Sequence, residues 1–371
     1  MLIGIDASRA TVANRTGTEG YSLHVINGVV AQGREHRFRL YFRDDPPPGL
    51  FPEQENVEIR IIRQPRLWSH VGLRSDVLRE PPDVLFVPAH VIPWPGVGSV
   101  PCVVTSHDLG YLHYPEKHPF LERIYLDWST RHSVRIARRV IAVSRATAHD
   151  LAALNGVPEG KIRIIYSGVD KLMQPVDNPE QIAKLCGRLG ISGPYILHVG
   201  RLQARKNLPR LVEAFAQIRG TTRGLTLVLA GRKAGEHRGL LRQISQLGLA
   251  GQVILPGFVP EEDLPALYSG AAVCAFPSLY EGFGFPVLEA MACGTPVVCS
   301  STSSLPELVG DAALMIPPTN TGALAEAIHR LLVDNDLRRT LIRRGLERVK
   351  RFSWEASARA TLDVLLEAAQ A

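Results

Sequence analysis

Tyr195-Ile196-Leu197-His198-Val199-Gly200-Arg201-Leu202-Gln203-Ala204-Arg205-Lys206-Asn207 reads as a short apolar run, a basic polar loop and the approach to a helix. The run from Tyr195 to Val199 has strand length, and the periodic segment Pro209 to Arg219 that follows fits an amphipathic helix. A strand, a loop and a helix in this order form the repeating unit of a parallel α/β sheet. Ligands bind such sheets at the carboxyl ends of the strands. That position lets Arg201 and Lys206, on the loop after the strand, hold a diphosphate. The plain alternative is that Arg205 and Lys206 are exposed charges in a polar loop.

The same alternation extends over the whole chain. In the first half, apolar runs lie at Leu2 to Ile5, Phe38 to Phe42, Val84 to Val87, Cys102 to Thr105 and Arg139 to Val143. In the second half they lie at Tyr195 to Val199, Leu225 to Ala230, Val253 to Leu255, Val273 to Phe276, Val297 to Cys299 and Ala313 to Ile316, with helical patterns such as Glu262 to Ser269 and Gly322 to Val333 between them. A length of 371 residues exceeds what one hydrophobic core usually serves. The expected fold class is therefore α/β, with two doubly wound parallel-sheet domains, residues 1–175 and 190–350, facing each other across a ligand cleft. Prolines and glycines between Asp170 and Gly193 mark the linker.

Composition narrows the function classes. Hydrophobic residues at 45% and charged residues at 21% are those of an ordinary globular chain, which excludes disorder. A net charge of +6 suits phosphorylated small molecules, anionic lipid or nucleic acid equally, but no nucleic-acid fold signature accompanies the arginines. The five cysteines form no CxxC pair and sit mostly in apolar runs, so reduced thiols and a cytoplasmic location are expected. The start has no basic leader region and no apolar run reaches the ~18 residues of a span, so the chain is expected to be soluble or at most peripheral.

The chemistry-bearing residues lie mainly in loops after the apolar runs. Glu281-Gly282-Phe283-Gly284-Phe285-Pro286-Val287-Leu288-Glu289 places two carboxylates around a glycine-rich turn with proline at a helix start. The N–H groups of such a start, from Gly284 to Val287, suit a phosphate, although a capped helix following a strand explains them as well. Gly17 and Gly20, in Thr16-Gly17-Thr18-Glu19-Gly20, form a loop between the first strand and a helix through Tyr21, but the segment is not GxGxxG. His107-Asp108 follows the run Cys102 to Thr105 and opens at a strand end. His113 and His118 lack metal-ligand spacing, so no metal site is expected. Phe120 to Arg145 reads as a basic amphipathic helix able to touch an anionic membrane surface, or as a helix packed on the sheet with its arginines in water.

Together these residues resemble the retaining nucleotide-sugar glycosyltransferases of family four, which have the GT-B fold of two Rossmann-like domains. The resemblance spans nearly the whole chain. It rests on Glu281 and Glu289 with seven residues between them, then Arg201 with Lys206, then His107-Asp108 and the N-terminal glycine loop. Ala142-Val143-Ser144, Gly168-Val169-Asp170, Pro256-Gly257-Phe258-Val259 and Phe352-Ser353-Trp354 add to it. The glycine loop departs from the commonest family form, because no Gly-Gly pair occurs there.

The resemblance implies a donor site mostly on the second domain and a final helix, residues 354–371, crossing back to the first. Arg201 and Lys206 neutralise the donor diphosphate, Glu281 contacts the transferred sugar, and Glu289 holds the ribose. Val259 meets the base, and His107 contacts the sugar. Gly17, Gly20, Gly200, Gly282, Phe283, Gly284, Phe285 and Val287 line the donor. No metal or other cofactor is required. The implied activity is retaining hexose transfer, first mannose from GDP-mannose, to a saccharide or lipid-linked acceptor in polysaccharide biosynthesis. A UDP-sugar donor, a sugar-nucleotide epimerase on the same architecture, and a non-catalytic sensor of nucleotide sugars are the alternatives. The location implied is the cytoplasm, with the inner face of the cytoplasmic membrane as a candidate surface.

Overall fold

The computed structural model describes residues 1–12, 17–51, 54–89, 91–117, 119–232 and 237–370. Thr16 and His118, both singled out above, lie outside them. The chain divides into two compact units, Met1–Gly168 with Phe352–Ala371, and Val169–Arg351.

The first unit holds a seven-stranded sheet in the order β3-β2-β1-β4-β5-β6-β7. Its strands are β1 (Leu2–Asp6), β2 (Arg37–Phe42), β3 (Val57–Ile61), β4 (Val84–Val87), β5 (Cys102–Ser106), β6 (Arg139–Ala142) and β7 (Ile162–Ile164). Every pairing is parallel. Apolar residues two apart, such as Leu85 and Val87 or Cys102 and Val104, fall on one face and build one core. The five runs read from the sequence form β1, β2, β4, β5 and β6. The strands without a sequence signal are the two edges. In β3, Glu58 and Arg60 interleave with apolar residues, and Glu58 accepts from Arg39 of β2 at 2.8 Å. Only an edge strand can wet such residues.

Two expectations are corrected here. Gly17 and Gly20 do not form a loop, since the helix Gly17–Gln32 begins at Gly17 and holds both in its first turns. Glu19 there suits the positive end of the helix dipole. The basic helix expected through Arg145 stops at Ile136, because Arg139–Ala142 is taken by β6. Arg139 instead binds Glu367 at 2.9 Å.

The helix Trp354–Gln370 packs on this first unit. The Trp354 ring stacks on His24 with centroids 4.8 Å apart, and Glu367 also accepts from Arg163. Close approach depends on two glycines. A Cβ at Gly28 would lie 2.5 Å from Ala358 Cβ, and one at Gly168 would lie 2.2 Å from Trp354 N.

The second unit has six parallel strands in the order β10-β9-β8-β11-β12-β13: β8 (Tyr195–Val199), β9 (Thr226–Ala230), β10 (Val253–Gly257), β11 (Val273–Phe276), β12 (Val297–Ser300) and β13 (Leu314–Ile316). All six runs read from the sequence are strands. Alternate residues divide between two cores, Tyr195, Leu197, Cys274 and Phe276 on one face and Ile196, Val273, Ala275 and Val298 on the other. A sheet covered on both faces explains why these strands read as continuous apolar runs. Both units thus show the doubly wound α/β architecture expected from the sequence.

Gly28→Val is expected to destabilise the first unit by ~1–3 kcal/mol, since overpacking against Ala358 outweighs any gain in helix propensity. Gly20→Ala should be neutral or stabilising by up to ~1 kcal/mol, because nothing lies within 4 Å of its Cβ position. Urea unfolding midpoints of both variants check the pair.

Candidate active site

The loops after β8 and β11 form a polar site braced by side-chain and backbone hydrogen bonds. Gly200 and Gly231, at φ 148 and 143, bring the ends of β8 and β9 together, since a Cβ on Gly231 would lie 2.0 Å from Gly200 O. The chain then makes one tight turn, Ala204–Lys206, and passes Asn207 at φ 58. Asn207 Nδ2 donates to Pro277 O at 3.1 Å and Pro318 O at 2.7 Å, and Leu279 N–H donates to Arg205 O at 2.9 Å. These bonds fix the β8 loop against the loops after β11 and β13, and they turn Lys206 inward.

Lys206 Nζ lies 2.6 Å from Glu281 Oε1, and Arg205 Nη1 lies 3.1 Å from Oε2. The ammonium also sits 4.8 Å above the Phe276 ring. Lys206 is 6% and Glu281 5% exposed, so both charges have left water. Burial alone pushes the Glu281 carboxyl up, but Lys206 and Arg205 outweigh it and hold the group below its ordinary range. It stays ionised at neutral pH. Glu281 N–H donates to Ser303 Oγ at 2.9 Å, and the Ser304 hydroxyl donates to Glu281 O and Phe283 O. Beneath them His198 is buried, with Nδ1 3.0 Å from Ala275 O and its ring stacked on Phe276. Burial, then the Lys206 charge, depress its pKa to about 4, so the imidazole is neutral.

Gly284 at φ 145 leads into the helix Phe285–Ala292, where a Cβ would meet Leu305 Cδ2 at 2.8 Å. The Val287 N–H, expected to face a phosphate, is already donated to Gly284 O at 3.1 Å. Glu289 accepts from Tyr268 Oη at 2.8 Å. Burial raises its pKa to about 7, helped by the carboxylates of Glu261 and Asp170 against the Tyr268 hydrogen bond. Gly282, Phe283 and Val259 are buried, and the rings of Phe283 and Phe285 meet edge-on at 5.0 Å. Arg201 is exposed, and among the described residues no hydrogen bond or ion pair engages its guanidinium.

In the first unit, His107 follows β5. Its Nε2 lies 2.8 Å from Pro88 O, and its ring meets Tyr21 edge-on at 4.8 Å. Burial lowers its pKa despite that bond and the nearby carboxylates of Asp108 and Glu19. A neutral His107 therefore donates from Nε2 to Pro88 O. Asp6, ending β1, is buried to 3% exposure, accepts from Ser8 Oγ at 2.6 Å, and is raised by burial to about 6.

Lys206 and Glu281, paired in role only by resemblance, are thus in direct contact. Glu289 has a separate environment, on Tyr268. The sequence reading missed Arg205, His198, Asn207, Ser303, Ser304 and Asp6. Arg205 adjoins Lys206, and the run Ser301-Thr302-Ser303-Ser304 after β12 could have suggested the serine brace. Among the described residues, no group of three or more His, Cys, Asp or Glu side chains is arranged to hold a metal ion, and no helix is long and apolar enough to cross a membrane.

Comparison with known proteins agrees with this architecture. Residues 189–348 match the family Glycosyl transferases group 1, and residues 15–171 match Glycosyltransferase Family 4. O-antigen chain mannosyltransferase B of Escherichia coli is 35% identical over 263 residues, which cover 70% of this chain and 69% of that protein. The serotype-specific mannosyltransferase WbdA of the same species is 28% identical over 284 residues, 75% of this chain, and the match spans 34% of its length. Among solved structures, sucrose-phosphate synthase from Thermosynechococcus elongatus superposes with a TM-score of 0.78 at 25% identity, covering 99% of this chain and 98% of that one. HepE of Anabaena, in complex with UDP and glucose, gives 0.76 at 23% identity, covering 99% of both chains. With both halves of the chain matched and the fold shared, the chain belongs to the GT-B glycosyltransferases of the group 1 and family 4 type.

Proposed function

We propose that this glycosyltransferase moves mannose from GDP-mannose, with retention of configuration and without a metal ion, to a saccharide or lipid-linked acceptor. The observation that carries the reading is the buried Lys206–Glu281 pair with Arg205, at the carboxyl ends of β8 and β11. The likeness to O-antigen chain mannosyltransferase B supports mannose as the sugar.

In this reading the Lys206 ammonium and the exposed Arg201 guanidinium take the charge that develops on the departing nucleoside diphosphate, the work a metal ion does in other transferases. Lys206 is held in place before the donor arrives, so little reorganisation accompanies leaving-group departure. Glu281, kept ionised by the same cations, accepts from hydroxyls of the sugar. Glu289 accepts from the ribose hydroxyls, with Tyr268 orienting its carboxylate. His107, neutral and donating from Nε2 to Pro88 O, keeps Nδ1 as an acceptor suited to a sugar hydroxyl. The five cysteines, all free, support a reducing cytoplasmic setting.

Neutralising one member of the buried pair should be costly. Lys206→Met or Glu281→Gln alone is expected to lose ~3–5 kcal/mol of stability, because the partner charge stays buried and uncompensated. Arg205 softens the Lys206→Met loss. The double variant should recover most of the stability and none of the turnover, read by thermal unfolding and by nucleoside diphosphate release from GDP-mannose, with UDP-glucose as the control donor. Recovery of turnover in the double variant would contradict the roles given to the pair. Turnover unchanged by EDTA is expected from the metal-free reading, and loss of turnover on chelation would overturn it.

Burial pushes the Glu289 carboxyl up to about 7 in the free protein, and the group accepts from ribose hydroxyls far more strongly when ionised. Nucleotide affinity should therefore fall roughly five- to tenfold between pH 8 and pH 6, where protonation competes with binding. Glu289→Gln should bind more weakly at pH 8 and lose this pH dependence, as calorimetric titration at both pH values would register.

A further inference from the structure

His198 differs from the other buried groups of the candidate site, because half of its hydrogen-bonding capacity is unused. The residue lies in β8 and is 0% exposed. A backbone carbonyl only accepts, so the Nδ1 atom 3.0 Å from Ala275 O carries the ring proton and Nε2 presents a lone pair. Among the described residues no donor reaches Nε2, and the atom is closed to solvent. A buried acceptor left without a donor lowers stability, and a working site is where such a group persists.

Nε2 faces the Lys206 side chain across Gly200. A Cβ at Gly200 would lie 3.6 Å from His198 Nε2, 3.7 Å from Lys206 Cε and 4.0 Å from Lys206 Nζ. These are ordinary contact distances, so the glycine leaves a methyl-sized space that the lone pair and the ammonium both border. The two groups also share an aromatic neighbour, since the imidazole stacks on the Phe276 ring at 5.3 Å and Nζ lies 4.8 Å from its centroid. Burial and the Lys206 charge keep the imidazole neutral against the opposing pull of Glu281. A neutral acceptor takes an N–H of the ammonium without cancelling its charge, which Glu281 cannot do.

We propose that His198 is a positioning residue for Lys206, its Nε2 accepting from the ammonium once a nucleoside diphosphate sugar occupies the site. In the reading above, Glu281 then shares its carboxylate between Lys206 and the sugar hydroxyls, and its hold on the ammonium weakens. Nε2 lies beyond the reach of ligand and water, so neither competes for it. A short shift of Nζ into the space beside Gly200 makes the bond and leaves the remaining N–H groups for phosphate oxygens. The inference rests on the diphosphate role of Lys206 and is independent of the base and of the sugar transferred.

Two substitutions separate this role from plain core packing. His198→Asn puts an amide N–H at the Nδ1 position and keeps the bond to Ala275 O, whereas His198→Gln puts an amide oxygen at the Nε2 position. The probes are GDP and UDP, titrated calorimetrically, with thermal unfolding read alongside. His198→Asn should weaken whichever nucleotide binds the wild type about tenfold, the size of a lost hydrogen bond to a charged group, and His198→Gln should weaken it less than about threefold. In the Lys206→Met/Glu281→Gln background, His198→Asn should change affinity less than about twofold, because the group it acts through is gone. Wild-type affinity in His198→Asn, a His198→Gln as weak as His198→Asn, or an undiminished loss in the background without Lys206 would each overturn the proposal and leave the role of Lys206 standing. Nucleotide affinity equal in the wild type and in Lys206→Met/Glu281→Gln would remove the diphosphate role of Lys206, and this inference with it.

Discussion

The contact on which the candidate site depends is the buried ion pair of Lys206 and Glu281, with Arg205 on the second carboxylate oxygen. Two charges removed from water cost several kcal/mol each unless they meet in good geometry with their remaining valences filled. Here the geometry is set by backbone. Asn207 ties the β8 loop to Pro277 and Pro318, Ser303 accepts the Glu281 N–H, and Ser304 caps the carbonyls of Glu281 and Phe283. The tight turn after Gly200 and the glycine close approach at Gly231 let these loops reach one another. Rigid loops around a preformed cation are what leaving-group stabilisation needs.

The two glutamates of one short segment show how environment divides roles. Glu281 is held below its usual range by cations, whereas Glu289, eight positions on, is raised to about 7 by burial near other carboxylates. The first is a permanent anion that neutralises a lysine. The second is poised to gain or lose its proton near physiological pH. Their chemistry is therefore not interchangeable, although both are acids in the same turn-and-helix element.

Much of this was legible in the sequence. All six strands of the second unit stand out as apolar runs, because both faces of that sheet are covered. The edge strands β3 and β7 were not legible, since Glu58 and Arg60 break the apolar pattern and β7 has only three residues. Gly17 and Gly20 suggested a loop, but a helix tolerates glycine in its first turns, and the sequence could not fix the start. Lys206 and Glu281 were each legible as candidate site residues. Their contact was not, because it joins two loops separated by 75 positions. Arg205 looked like solvated charge for the same reason, its partner being distant in sequence. Asp6 and His198 gave no signal, since a buried polar residue within an apolar run is read as part of the strand.

The most direct test of the account is a crystal structure of this chain with a bound nucleoside diphosphate. The account predicts phosphate oxygens within hydrogen-bond reach of Lys206 Nζ and the Arg201 guanidinium, and the ribose hydroxyls on Glu289. A nucleotide bound elsewhere, with Lys206 and Glu281 undisturbed and no phosphate near them, would contradict it.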